Sequence, residues 1–510
     1  METPRECGRV LLTGATGFVG GRLLGRLLET GRTVRCLARR PDAVRLPPAA
    51  PAEALAGDTL DKPSLARAMR DVDVAYYLIH SMGSGGDFES LDRRSASNFA
   101  AAARRAGVRR IVYLGGLAEE GADLSPHLRS RHEVGRILAG SGVEVVEFRA
   151  SVIIGSGSLS FELVRSLVER LPVMVCPRWV RTEAQPIAIG DVLDYLAAAL
   201  DLPPGPSRIF EIGGPDRVSY QGIMKQYARR RGLRRCMIPV PVLTPYLSSV
   251  WLALVTPVLA GVGRSLIEGV RSPSVVRDPG ARSAFDTHPA CLAEAIDAAL
   301  AGEEARFARR PLAELARRTE PDNAATLRWG NRILDCRATR VAVEPGRAFE
   351  PVARIGGPAG WYYGNWLWKL RGLIDLAVGG PGFAPSRRGP QPSRPPRAGD
   401  LIDFWRVVVS DPPRRLRLEA RMKLPGRAWL EFQVEPDHGG SIIRQIAAFD
   451  PTGLAGLLYW HALWPVHKRM FAGMLAAIAR AACRDDDARQ GAEAEPDRPA
   501  GDTKGPAHGR

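Results

Sequence analysis

The sequence contains no C-x-x-C pair, and its seven cysteines (Cys7, Cys36, Cys176, Cys236, Cys291, Cys336 and Cys483) are odd in number and far apart. That usage argues against a disulfide framework and predicts reduced thiols in a cytoplasmic protein. The first ten residues, METPRECGRV, lack the apolar stretch of a secretory signal, so no export is expected. Acidic residues are outnumbered: 55 Asp and Glu stand against 71 Lys and Arg, a formal net charge of +16. Such an excess suits a polyanion. The positive charge is nearly all Arg, scattered over every segment, and no recognised nucleic-acid module is present, so no nucleic-acid binding is expected. Long uncharged runs are also scarce. Met237 to Gly263 is one, following the basic run RRRGLRR, but Pro239, Pro241, Pro245 and Pro257 break it. A buried lobe of short helices is favoured there over a membrane span. Peripheral docking on a membrane through the arginines and Trp251 is the third option.

What is present is ample core material. Hydrophobic residues make up 45% of 510 residues and charged ones 25%, as in globular proteins, and the length implies two or three domains. The stretch VLLTGATGFVGGRLL, Val10 to Leu24, places Gly14, Gly17 and Gly20 three apart between an apolar run and a helical pattern. G-x-x-G alone is a weak signal. Between a strand and a helix N-terminus it makes a pyrophosphate site: Gly14 for the tight turn, Gly17 for backbone approach, Gly20 for packing of helix on sheet.

A second strand, TVRCLAR, ends in Arg39 and Arg40, where an NAD site usually carries an acid for the ribose hydroxyls. Two guanidinium groups there favour NADP, with NAD less expected. The runs EALAGD, SLARAMRD, VAYYLIH, SLDRRSASNFAAAARRAG, RIVYLGG and VEVVEFRA then alternate strand and helix, so the fold class is α/β with a doubly wound parallel Rossmann sheet.

The motifs TGATGFVG, AGDTLD, YYLIHSM, RIVYLGG and FEIGGPDRVSY stand in the order found in extended and atypical short-chain dehydrogenase/reductases, NmrA-like members among them, and the resemblance covers roughly residues 8 to 300. It implies phosphate contacts along Gly14, Thr16, Gly17, Phe18, Val19 and Gly20, adenine contact by Asp58, and cofactor lining by Leu78, Ile79 and His80. Active members of the family carry a Ser at the end of the fifth strand and a Tyr-x-x-x-Lys on the next helix. Here the strand ends Leu114, Gly115, Gly116, and HLRSRHEVGRIL puts His127 and Arg131 in the Tyr and Lys places. Arg131 keeps the charge and is expected to reach a ribose hydroxyl. His127, with an ordinary pKa near 6.5, is either a modified acid/base or a helix-surface histidine without a role. The segments QPIAIGDVLDYLAAAL and FEIGGPDRVSYQGIMKQYARRRG look like the small substrate lobe of extended members, with Asp191 as a helix N-cap.

From residue 306 to 330 the pattern is polar and helical, as in a linker. Beyond it, LIDFWRVVVSD, RRLRLEARMKLPG, AWLEFQVEPD and SIIRQIAAFD alternate at period two, the mark of an antiparallel sheet with one buried face. A long closing helix, interrupted at Pro465, follows. A helix across such a sheet suggests a helix-grip α+β domain over 331–485, similar to the START and polyketide-cyclase superfamily, which encloses an apolar cavity. Trp361, Trp366, Trp368, Trp429, Trp460 and Trp464 are the candidate walls, or else plain core. His461 and His467 lie six apart and do not share a helical face, so no metal is assigned. The tail from 486 to 510 is charged and expected to be disordered.

The sequence therefore predicts a nucleotide-binding domain over 1–305 joined to a domain for a small hydrophobic ligand. The leading expectation is an NAD(P)H-dependent oxidoreductase acting on a hydrophobic carbonyl or quinone-like compound. The alternatives are a non-catalytic NADPH-binding redox sensor or scaffold, and a lipid or quinone carrier with a regulatory nucleotide domain. Oligomeric state is not readable.

Overall fold

In the computed structural model the described residues are 8–81, 87–119, 124–240, 269–270, 272–309, 312, 320, 322–358, 360–382 and 395–493. The chain divides into two compact units, residues 1–306 and 307–510.

The first unit is built on strands β1 (Arg9–Thr13), β2 (Val34–Ala38), β3 (Ala52–Ala56), β4 (Val72–Tyr77), β5 (Arg110–Gly116), β6 (Glu144–Ala150) and β7 (Arg208–Ile212). They form one sheet in the order β7-β6-β5-β4-β1-β2-β3, every pair parallel. Parallel strands need helical crossovers, so both faces are covered and the inner strands are apolar on both sides. The side chains divide accordingly. Val10, Leu12, Cys36, Val74 and Tyr76 face a core completed by helix α1 (Gly20–Glu29) and helix Ile189–Ala198. Leu11, Leu37, Ala75, Tyr77 and Tyr113 face the opposite core, under α2 (Lys62–Ala68), α3 (Phe88–Arg105) and α4 (Pro126–Ala139).

A smaller lobe grows out of the sheet's carboxyl edge. Helices Leu159–Arg170 and Tyr220–Arg230 bury Phe161, Val164, Ile223 and Tyr227 in a separate core. Two sequence expectations change here. Ala188, not Asp191, occupies the cap of helix Ile189–Ala198; Asp191 lies in its first turn and accepts the Ala290 N–H at 2.9 Å, so it ties the helix to a distant loop. Met237, Ile238 and Pro239 belong to a strand, Cys236–Pro239, paired in parallel with Val173–Cys176, because both are short apolar runs at a lobe edge. The rest of the apolar run to Gly263, with Trp251, lies outside the described residues. Among the described residues no helix is long and apolar enough to cross a membrane.

The second unit is a seven-stranded antiparallel sheet backed by helices Pro345–Ala353, Asn365–Ala377 and Gly453–Glu493. The residues read as a helical linker behave differently: helix Leu292–Arg309 runs into them, and Ala324–Trp329 is an edge strand paired with Arg332–Val341. Its burial alternates, which a polar strand at a sheet edge produces and a helical reading of the same letters misses. The closing helix is continuous through Pro465 and extends to Glu493, into the span read as disordered; the remaining tail lies outside the described residues. One lost backbone bond at Pro465 is outweighed by the apolar face that seats Phe471, Met474, Leu475 and Ile478 on the sheet.

The tryptophans do not wall a single cavity. Trp361 stacks on Trp368 at 4.6 Å, Trp429 meets Phe307 at 4.6 Å, and Trp460 lies on Phe449 at 5.5 Å, in three separate cores, while Trp366 is 66% exposed. Trp361, Trp368, Trp429 and Trp460 thus each pack against another aromatic ring in their own core.

Candidate functional site

The sheet order reverses at β1: β2 and β3 lie on one side of it, β4 to β7 on the other. Chains leaving β1 and β4 diverge at that point and open a crevice beyond their carboxyl ends, where α/β sheets bind ligands. Thr13 pins the two strands there, donating to the Tyr76 carbonyl and accepting the Leu78 N–H.

Two adjoining clefts fill the crevice. The one on the β2 side, about 290 Å³, is lined by Gly14, Thr16, Gly17, Arg39, Asp58, Leu78, Ile79 and His80. The one on the β5 side, about 320 Å³, takes Gly14, Gly17, Phe18, Val19, Gly20, Leu78, His80, His127 and Arg131. Residues proposed from widely spaced motifs thus share one groove. Arg40 is not among the lining residues; it points to solvent at the start of a short turn, leaving Arg39 as the cation at this end. Arg39 has no ion-pair partner among the described residues. Asp58 holds one oxygen on the Leu60 N–H, fixing the carboxylate at the cleft wall.

The glycine turn fits a pyrophosphate. Gly14 sits at φ +73°, where a Cβ would be 2.5 Å from the Leu78 carbonyl oxygen, and a Cβ on Gly20 would be 2.3 Å from the Gly14 oxygen. The turn is as tight as backbone allows. Helix α1 opens with no side-chain cap and no acid in its first turn, and no carbonyl of the described residues accepts the N–H groups of Phe18 or Val19. A helix N-terminus with spare donors is an anion site. Arg22, which sequence reading passed over, braces it. Its guanidinium stacks 4.2 Å over the Phe18 ring and donates to the carbonyls of Phe18 and Ser156, and burial with nearby Arg306 lowers its pKa to about 10.

At the other end Arg131 donates to the Leu114 carbonyl and lies over the Tyr113 ring, whose hydroxyl donates to the Arg131 carbonyl. The guanidinium is fixed at the cleft with N–H groups to spare. Burial, then Arg131 and His80, push the His127 imidazole down to about 3. His80 is pushed to about 4, by its protein surroundings and then Arg131, although its ring is open to the cleft, where water moderates the effect. Both rings are neutral at physiological pH. His127 is therefore no imidazolium acid, because burial first, and the Arg131 cation one helical turn away second, disfavour its charged form.

The site keeps the space of the missing serine filled. A Cβ on Gly115 would lie 2.9 Å from Glu147 Oε1, and one on Gly116 would lie 2.8 Å from Leu128 Cδ2. Hydroxyls enter from elsewhere. Tyr220, at the start of helix Tyr220–Arg230, bonds to Ser274, whose hydroxyl is 2.7 Å from that of Ser151, and all three line the β5-side cleft. Burial raises the Tyr220 phenol above its ordinary range. These three come from separate segments with no shared motif; the one hint was Tyr220 closing FEIGGPDRVSY.

Comparison with known proteins matches a different family within each unit. Residues 14–149 match a family described as NAD(P)H-binding, and residues 330–474 match a family described as a protein of unknown function, DUF2867. The chain is 31% identical over 231 residues to a (4-alkanoyl-5-oxo-2,5-dihydrofuran-3-yl)methyl phosphate reductase of Streptomyces griseus, covering 44% of this chain and 74% of that protein. It is 27% identical over 286 residues to a putative dihydroflavonol 4-reductase of Synechocystis, covering 50% and 80%. Among solved structures it is similar to the triphenylmethane reductase of Citrobacter, at 16% identity and a TM-score of 0.48, over 57% of this chain and 99% of that one.

Proposed function

Because the chain belongs, through its first unit, to the NAD(P)H-binding short-chain dehydrogenase/reductase family in its NmrA-like form, we propose that it is an NADPH-dependent oxidoreductase reducing a hydrophobic carbonyl or quinone-like compound. The observation that carries this reading is the continuity of the groove. The glycine turn, the uncapped end of α1 and Arg131 lie in one cleft with the apolar side chains of Leu117, Val152, Leu163 and Val270. A dinucleotide laid across the crevice therefore ends against an apolar pocket.

The preference for NADPH rests on Arg39. An exposed, unpaired guanidinium at the end of β2 suits a phosphate on the adenosine ribose, and it occupies the strand end where an NAD site carries an acid. Bound nicotinamide supplies hydride chemistry. Arg131 is positioned to donate to a ribose hydroxyl, in the place the family gives to lysine. With His80 and His127 neutral, proton delivery to a substrate oxygen falls to a neutral hydroxyl. Tyr220 is held protonated by burial, and Ser274 and Ser151 extend from it as a chain of exchangeable hydroxyls. The apolar walls exclude bulk water around that oxygen.

Titration of the purified full chain with NADPH and NADH, followed by a panel of lipophilic ketones and quinones, tests the reading. Tighter NADPH binding and consumption of NADPH with at least one apolar carbonyl compound are expected. Absence of nucleotide binding would remove it.

A further inference from the structure

Helix Asn365–Ala377 in the second unit is amphipathic in the wrong sense for a covered helix. Its buried residues are Trp368, Gly372 and Asp375, one seam at helical spacing. At 3.6 residues per turn, Trp366, Leu370, Leu373 and Ala377 fall within an arc of about 60° on the opposite side. Trp366 is 66% exposed, Leu370 45% and Leu373 58%, with Ile374 at 47% and Leu376 at 50% flanking them. Isolated exposed apolar residues need no explanation, but a whole helical face led by a tryptophan does.

The charges of the helix have one exposed sign. Its cations are Lys369 and Arg371, and its one acid is Asp375. That acid is fully buried, accepting the N–H groups of Gly382 and Lys423. Lys369 is exposed beside Leu370 and Leu373; Arg371, on the flank, reaches Tyr459. Self-docking about a two-fold axis would set Lys369 of each copy near the other with no exposed acid of the helix to answer it. A surface of anionic headgroups over hydrocarbon answers both features at once.

We propose that helix Asn365–Ala377 is a peripheral membrane-docking element. It lies in the plane of an anionic bilayer surface, with Trp366, Leu370 and Leu373 entering the headgroup boundary and Lys369 pairing with phosphates. The inference is independent of the cofactor reading, and it assigns the contact to the second unit and not to the uncharged run ending at Gly263. It also fits a lipophilic substrate, which would be met at the membrane.

Sedimentation of the full chain with phosphatidylcholine vesicles, with and without phosphatidylglycerol, tests it. Binding is expected to the anionic vesicles and to be weakened by salt. Leu373→Ser and Lys369→Glu, both at exposed positions, should each weaken it roughly tenfold while melting temperature and NADPH affinity stay at the parent values. Failure of the parent to bind anionic vesicles overturns the proposal, as does binding unchanged in both variants. Concentration-dependent dimerisation abolished by Leu373→Ser, without vesicle binding, would assign the face to a second copy instead.

Discussion

Two glycines five residues apart on α1 predict opposite outcomes for the same substitution. A Cβ added at Gly20 would stand 2.3 Å from the Gly14 oxygen and 2.7 Å from its carbon, whereas one added at Gly25 meets nothing within 4 Å. Ordinary contact begins at 3.4 Å, so Gly20→Ala requires the turn to yield by 3.4 − 2.3 = 1.1 Å. The atoms in the way are backbone, which cannot rotate aside. Overpacking of this kind costs about 1–3 kcal/mol. Against it stands the gain from replacing a helical glycine, about 0.5–1 kcal/mol. Gly25→Ala collects the gain alone. The predicted order of thermal stability is therefore Gly25→Ala above parent and Gly20→Ala below it, the latter by up to about 2.5 kcal/mol. Cofactor binding should separate them further. Displacing the turn misaligns the Phe18 and Val19 amides, and each charge-assisted bond to a phosphate carries about 1.5–3 kcal/mol, so NADPH affinity should fall roughly tenfold or more in Gly20→Ala and stay unchanged in Gly25→Ala. Melting curves with and without NADPH, plus a fluorescence titration, measure both effects. If Gly20→Ala proved as stable as Gly25→Ala and bound NADPH like the parent, the close approach of α1 to Gly14 would not be what shapes the site.

Arg39→Asp should abolish the preference for NADPH over NADH, read by titrating both; Arg40→Asp should do so far less, since that side chain does not line the cleft. Tyr220→Phe should lower turnover by roughly 10² or more with NADPH affinity unchanged, measured with whichever carbonyl substrate the panel yields; equal turnover would assign the proton to water. His127 is expected to contribute to acid lability rather than to a neutral-pH rate profile. Its folded pKa, about 3, lies below the unfolded value near 6.5, so the unfolded chain binds more protons between those limits and stability falls as pH drops through that window. His127→Phe should flatten that fall in pH-dependent melting, and a profile identical to the parent's would contradict the burial of this ring beside Arg131.

Much of this protein was legible before any coordinates. Apolar runs alternating with helical patterns specify a parallel sheet, because strands covered on both faces have no polar side to show. The three glycines, set between a strand and a helix, announce the phosphate turn, since a Cβ at Gly14 or Gly20 would collide with backbone. The acid missing after TVRCLAR and the missing Ser and Tyr were equally plain, because each is a local departure from a local pattern. The period-two runs after Leu401 likewise gave an antiparallel sheet.

The tertiary structure decided what depends on neighbours distant in sequence. Arg39 and Arg40 are adjacent letters of the same chemistry, and the direction of one backbone turn puts the first in the cleft and the second in solvent. His127 has an ordinary pKa in a sequence; it becomes a neutral ring through burial and the cations it faces. Tyr220, Ser274 and Ser151 meet across up to 123 residues of chain, so no spacing rule could join them. Pro465 reads as a break, and Ala324–Trp329 as helix, until the packing of a long apolar face and the pairing of an edge strand override local preference. The exposed face of Asn365–Ala377 belongs here too. Its letters specify an amphipathic helix, but which side meets the core was settled by Trp368 and Asp375 finding partners inside, leaving the apolar side outward. Sequence fixes the pattern along a chain; only packing decides which side of the pattern is satisfied.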